Sequence, residues 1–175
     1  MKRIIAIPLT AIVAVTIFIS CNKDKTPPCT NNTLAQDRSI IDSFLDKNTT
    51  LNVSFNTTHN VYYGIESPGT GSQPAADSQI VFKLETRLLN GTLVDSGTVS
   101  INRNTGAPLK LSDFNTDSFD HLIFSQLKEG GVSNVIIPSS RNGLGCNSGR
   151  GGLATIPANS QLINKITLID VKKSQ

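Results

Sequence analysis

The chain has no tryptophan, two tyrosines, two histidines and three cysteines in 175 residues. So few histidines and cysteines cannot furnish a four-ligand zinc centre of the usual kind. His59 and His121 stand far apart and in no ligand spacing, which fits surface or structural roles. Excess charge is also missing. The formal charge is +3, and Lys2 and Arg3 supply two of those charges. The remainder is close to neutral, which excludes a nucleic-acid binder that works by phosphate neutralisation. A hydrophobic fraction of 38% with 17% charged residues excludes wholesale disorder. At this length a single domain is expected.

One long apolar run is present, at the N-terminus. Lys2-Arg3 precedes Ile4 to Ile19, which is interrupted by Pro8, Thr10 and Thr16. The run is short for a permanent span, which needs about 20 apolar residues, and it suits the core of a signal peptide. Phe18-Ile19-Ser20-Cys21 resembles a looser bacterial lipobox. The resemblance implies cleavage after residue 20 and lipid on Cys21. The alternative is a plain secretory signal with an incidental cysteine. Several acyl chains would hold the protein on a membrane. Residues 21–36 then read as the lipidated cysteine and a polar tether. The tether carries no acidic run, so the expected location is the bacterial outer membrane, facing the periplasm. With Cys21 lipidated, Cys29 and Cys146 remain, and an oxidising compartment favours a bridge between them over two free thiols.

The mature chain alternates short apolar segments with turns. Ile40, Ile41, Phe44 and Leu45 form one stripe, which predicts a helix over 38–47. Period-two patterns predict strands at 50–55, 61–65, 79–89, 132–137 and 162–171. Asn90-Gly91 marks a hairpin, with 92–94 returning from it and 97–107 forming a polar loop. Thr116 to Ser118 can cap a helix running to Gln126 or Leu127, with Phe119, Leu122, Ile123 and Leu127 on one face and Gly130-Gly131 as the stop beyond it. The absence of a strand–helix–strand rhythm excludes a dinucleotide fold. The pattern predicts an α+β domain with a twisted, mostly antiparallel sheet over one short central helix. The N-terminal helix and strand, 37–59, precede a domain at 60–175.

No conventional catalytic group emerges from residue types alone. The loop 143–152 is rich in glycine but lacks Gly-Lys-Ser/Thr and a following helix, so it reads as a flap over a cleft and not as a phosphate loop. Ser139-Ser140 lies outside a Gly-x-Ser-x-Gly context. Cys146 is a poor nucleophile in an oxidising compartment. The Asn-x-Ser/Thr triplets at Asn31, Asn48, Asn52, Asn56 and Asn90 read as polar surface. No cofactor or metal is expected.

The order of segments is informative. Val61-Tyr62-Tyr63-Gly64-Ile65, Pro68-Gly69-Thr70-Gly71, Leu88 to Ser96 and Pro108-Leu109-Lys110-Leu111 follow one another. Leu127-Lys128-Glu129-Gly130-Gly131 comes next, then Val135 to Ser140, Ile156 to Leu162 and Leu168 to Lys172. This series resembles the FKBP-type peptidyl-prolyl isomerase family over residues 60 to 173. The resemblance implies a sheet wrapped over a short helix, with an apolar cleft that binds a proline-containing segment. It implies catalysis without a covalent step: the amide barrier is about 18–20 kcal/mol, and a dry cleft that fits the twisted amide lowers it.

The same resemblance locates the cleft, and several of its rings are missing here. The family's wall tyrosine is Leu84, and the phenylalanine before its aspartate is Val94, although Asp95 itself is kept. The phenylalanine after its proline is Leu109. Its floor tryptophan falls on Asp120 by direct count from Gly130, or on Phe119 with a one-residue shift. Its flap tyrosine falls on Gly143 or Leu144, and its last-strand phenylalanine on Asn164. Ile156 keeps an apolar wall position. Each lost ring costs on the order of 1 kcal/mol of burial, so the expectation is weak activity. Asp95 is the candidate catalytic residue, or else a carboxylate that holds the hairpin end. Leu84, Val94, Asp95, Leu109, Phe119, Leu144 and Ile156 are the candidate cleft. The expected function is an envelope-anchored isomerase that helps proline-containing exported polypeptides to fold. The alternative is a catalytically inactive module that binds an envelope protein or an unfolded client. Phe114, Phe119 and Phe124 around an open hollow would restore the aromatic grip by another route.

Overall fold

The computed structural model describes residues 28–173. The signal segment 1–20 and residues 21–27 of the tether lie outside the described residues; the end of the expected tether, from residue 34, is helix and not linker. Helix α1 (Leu34–Leu45) opens the fold, then strands β1 (Ser54–Asn56), β2 (Val61–Ser67), β3 (Gln79–Leu88) and β4 (Leu93–Val99). A 3₁₀ turn (Leu111–Asp113) and helix α2 (Phe119–Gln126) follow. Strand β5 (Val132–Ile137), a ribbon of β6 (Gly149–Arg150) and β7 (Thr155–Ile156), and β8 (Leu162–Lys172) complete it. Six strands form one sheet in the order β1-β2-β5-β8-β3-β4, and every pairing in it is antiparallel. The expected α+β class, a mostly antiparallel sheet over a short helix, is what the chain builds.

The two faces of the sheet bury two cores. Strand residues alternate between faces, so Val61 and Val135 point one way while Tyr62 and Ile136 point the other. The inner core packs Ile123 and Phe124 of α2, and Leu127 just after it, against Val61, Ile80, Val135, Ile166 and Leu168. The outer core packs Ile41 of α1 against Tyr62 and Ile136, with Leu51, Val53 and Phe55 beside them. Strand β1 is therefore an edge of the sheet, and α1 packs on its outer face.

Several boundaries differ from the sequence reading, each for a local reason. Helix α1 begins four residues before the expected start. Thr33 accepts from the N–H of Gln36 and the Gln36 side chain accepts from the N–H of Thr33, a capping box that fixes the first turn. Strand β4 runs on to Val99, because its residues pair with β3 as far as Phe82. The loop after it is closed by the N–H of Asn102 on the Ala107 carbonyl at 2.8 Å. Within the flap, Gly149 and Arg150 pair with Ile156 and Thr155.

A polar lattice fastens the start of the fold to the base of the flap. Asp37 is fully buried. It accepts from the Ser139 hydroxyl at 2.7 Å, the Ser140 N–H at 2.7 Å, the Gln161 amide at 2.7 Å and the Asn32 amide at 3.0 Å. Burial by itself would raise its pKa, and these four donors hold it below the ordinary carboxylate value. Cys29 and Cys146 are joined by a disulfide with Cα atoms 5.7 Å apart. Beside it, the Cys146 N–H donates to the Asn31 side chain at 2.7 Å.

Candidate functional site

The inner face of β3 carries Phe82, Leu84, Thr86 and Leu88 in sequence. Across from them on β8 stand Leu168, Ile166, Asn164 and Leu162. Thr86 donates its hydroxyl to the Asn164 side-chain oxygen at 2.9 Å. This polar pair interrupts an otherwise apolar row and separates two regions.

On one side lies an open hollow of about 520 Å³, within the range of small-ligand pockets, roughly 300–1,000 Å³. Three phenylalanines line it. Phe82 and Phe124 have ring centroids 4.7 Å apart, and Phe114 and Phe124 are 5.4 Å apart. Leu84, Val99, Leu109 and Ile166 form the walls, and Ile101 stands at the mouth, 53% exposed. Gly97, opposite Leu84 in the β3–β4 register, has open space where a side chain would be. The rim carries Asn102, Arg103, Asn104, Asp113 and Asp120, and Asn164 reaches it from the polar pair.

On the other side the space is filled. Val94, Leu88, Leu162 and Ile156 form a small core with Leu144 and Ala154 packed on it. The flap closes over it: the N–H groups of Leu153 and Ala154 both point at the Val94 carbonyl, at 3.0 and 3.4 Å. A Cβ on Gly151 would overlap that carbonyl oxygen, so glycine is what lets the flap lie this close.

The structure therefore divides the seven residues expected to share one cleft. Leu84 and Leu109 line the hollow. Val94, Leu144 and Ile156 belong to the closed core. Asp95 is exposed beside Gly152, and its carboxylate accepts from the Ser96 N–H at 2.9 Å. Phe119 faces away, with its ring 5.5 Å from Tyr63 and 5.6 Å from His59. Of the two residues on which the resemblance could place the floor tryptophan, Asp120 lines the hollow and Phe119 does not. The aromatic content of the hollow comes from Phe82, Phe114 and Phe124. Of these, Phe82 was visible only as a buried-face strand residue. Phe114 follows a 3₁₀ turn that has no periodic signal.

The rim has its own electrostatics. Asp113 accepts from the Lys110 N–H through Oδ2 at 2.8 Å. Asp120 sits in the first turn of α2, whose cap is Ser118. Although Asp120 is exposed as a whole residue, surrounding protein partly desolvates its carboxyl and raises its pKa above the ordinary value. Among the described residues, no group of three or more His, Cys, Asp or Glu could hold a metal ion. The hollow's chemistry is burial, shape and a few rim charges.

No family model and no curated protein matches the sequence. Solved structures do. The crystal structure of FkpA from Escherichia coli is 22% identical, with a TM-score of 0.49. The match covers 81% of this chain and 62% of FkpA, so the chain spans about three fifths of that protein's length. The peptidyl-prolyl cis-trans isomerase PPIase from Pseudomonas syringae pv. tomato is 19% identical at a TM-score of 0.49, covering 82% of this chain and 99% of that one. The structure of the three FKBP domains of wheat FKBP73 is 17% identical at 0.46, covering 69% of this chain and 49% of that one. The fold of this chain is similar to that of FKBP-type peptidyl-prolyl isomerases.

Proposed function

We propose that this chain is an envelope-anchored peptidyl-prolyl cis-trans isomerase of weak activity that helps proline-containing exported polypeptides to fold. The observation that carries the reading is the open, apolar hollow lined by Phe82, Phe114 and Phe124. A proline ring gains from burial against aromatic faces. A dry pocket that fits the twisted amide better than its planar forms lowers the rotation barrier. Weakness follows from what surrounds the rings. Leu84, Leu109 and Asn164 replace aromatic walls, and the end holding Val94 and Ile156 is closed by the flap.

Isomerisation of a proline-containing peptide by residues 22–175, which hold all the described elements, tests this. The expected outcome is a measurable rate, well below that of an isomerase with a fully aromatic cleft, and a further fall in Phe114→Ala, which removes one of the three rings. Peptide binding without turnover would replace the enzyme by the non-catalytic binding module. No binding at all would refute both. Anchoring is tested separately. Replacement of Cys21 by Ser should move the protein from the membrane to the soluble fraction and abolish labelling by a radioactive fatty acid. Protection from protease added to intact cells should accompany an outer-membrane protein that faces the periplasm.

A further inference from the structure

The apolar grip leaves the charges at the mouth of the hollow without a task. Asp120 lines the mouth and, among the described residues, has no hydrogen bond or ion pair. Asp113 lines it too and commits Oδ2 to the Lys110 N–H. Arg103, exposed on the loop after β4, is the one cation in the lining. A carboxylate in the first turn of a helix favours the helix dipole, which explains its tolerance at Asp120. It does not explain why an acid stands at the mouth of an aromatic cleft, where an apolar side chain would bury more area. A bound segment would bring its neighbouring residues past this mouth. A lysine or arginine there would meet an unpaired carboxylate in partly desolvated surroundings. A glutamate would meet repulsion.

We propose that the cleft selects segments carrying Lys or Arg beside the residue that fills the hollow, and that Asp120 is the specificity-determining residue. This rests on the reading of the hollow as a site for proline-containing segments. At a solvent-accessible rim the preference is modest, about two- to fivefold, and is screened by salt.

The test uses the full chain in detergent and labelled peptides that differ only in the residue next to proline: Lys, Ala or Glu. Affinity is read by fluorescence anisotropy. At low ionic strength the Lys peptide should bind about two- to fivefold more tightly than the Glu peptide, and about 0.5 M salt should close the gap. Asp120→Asn should bring the two peptides together, and Asp120→Lys should reverse their order, with circular dichroism confirming the fold of each. Binding of the Ala peptide with no gap in the unmodified protein would overturn this inference alone. A gap that survives in Asp120→Asn would do the same. Failure of all three peptides to bind would overturn the prolyl-segment reading itself, and this inference with it.

Discussion

Asp37 is the residue on which the start of the fold turns. It is fully buried and is held by four donors from three separate stretches of chain, 32, 139–140 and 161. An asparagine cannot accept from all four, and its own N–H groups would face donors. Asp37→Asn should cost on the order of 3 kcal/mol, since hydrogen bonds to charged groups are the expensive ones to lose. Urea unfolding midpoints check this. Because the folded pKa is depressed, the stabilisation is complete above the ordinary carboxylate value. It is lost as pH falls through the lower folded value. The variant's stability should therefore fall less steeply with acid than that of the unmodified protein. Tyr62 is a quieter case. Burial and its bond to Asp42, 2.6 Å long, raise its pKa to about 12, so the phenol stays a donor to α1 at any ordinary pH.

At the scale of elements, two contacts hold the N-terminal part on the sheet. Gly64 in β2 lies on the face that meets α1, and a Cβ there would overlap the Asn52 carbonyl. Gly64→Ala should lift the segment 51–53 and loosen Leu51 and Val53 from the outer core, at about 1–3 kcal/mol. Thermal unfolding measures the cost, and faster amide exchange confined to 51–56 would locate it. The second contact is covalent. The Cys29–Cys146 bridge closes a loop with a sequence separation of 117, and its removal should cost about 2–5 kcal/mol. A lower melting temperature in the Cys29→Ser/Cys146→Ser double variant checks this. A non-reducing peptide map should contain the linked pair, and two alkylatable thiols would contradict it.

For the whole molecule, the decisive feature is the division of the inner face by the Thr86–Asn164 pair. The open volume lies on one side of it, and the proposed site lies there. Asp95→Ala should thus leave peptide binding within about twofold, because Asp95 is exposed outside the hollow and makes a local turn contact. Phe114→Ala, which removes a ring from the hollow, should weaken it by more than that. The opposite pattern would return the site to the closed end. Part of the hollow's wall was legible: of the seven candidate cleft residues, Leu84 and Leu109 line it. The closed end was not. Whether Val94 faces a ligand or a flap depends on how residues 150–155 fold back, and a glycine-rich stretch has no periodicity from which to read that.

The sequence by itself determined the order of elements and which residues share a face, because period two in strands and 3.6 in helices are local consequences of backbone geometry. It also placed the end of α2 at Gln126 and the hairpin at Asn90-Gly91, where the φ of 88° at Gly91 suits glycine. Only the tertiary structure decided which rings meet. Register shifts between Val81 and Phe82 and between Thr86 and Arg87 set which β8 and β4 residues each β3 residue faces. A bulge of this kind leaves no mark in composition. The packing of α2 on the sheet sets the rest: Phe124 meets both Phe82 and Phe114, Phe119 turns toward Tyr63, and Asp120 stands at the mouth of the hollow.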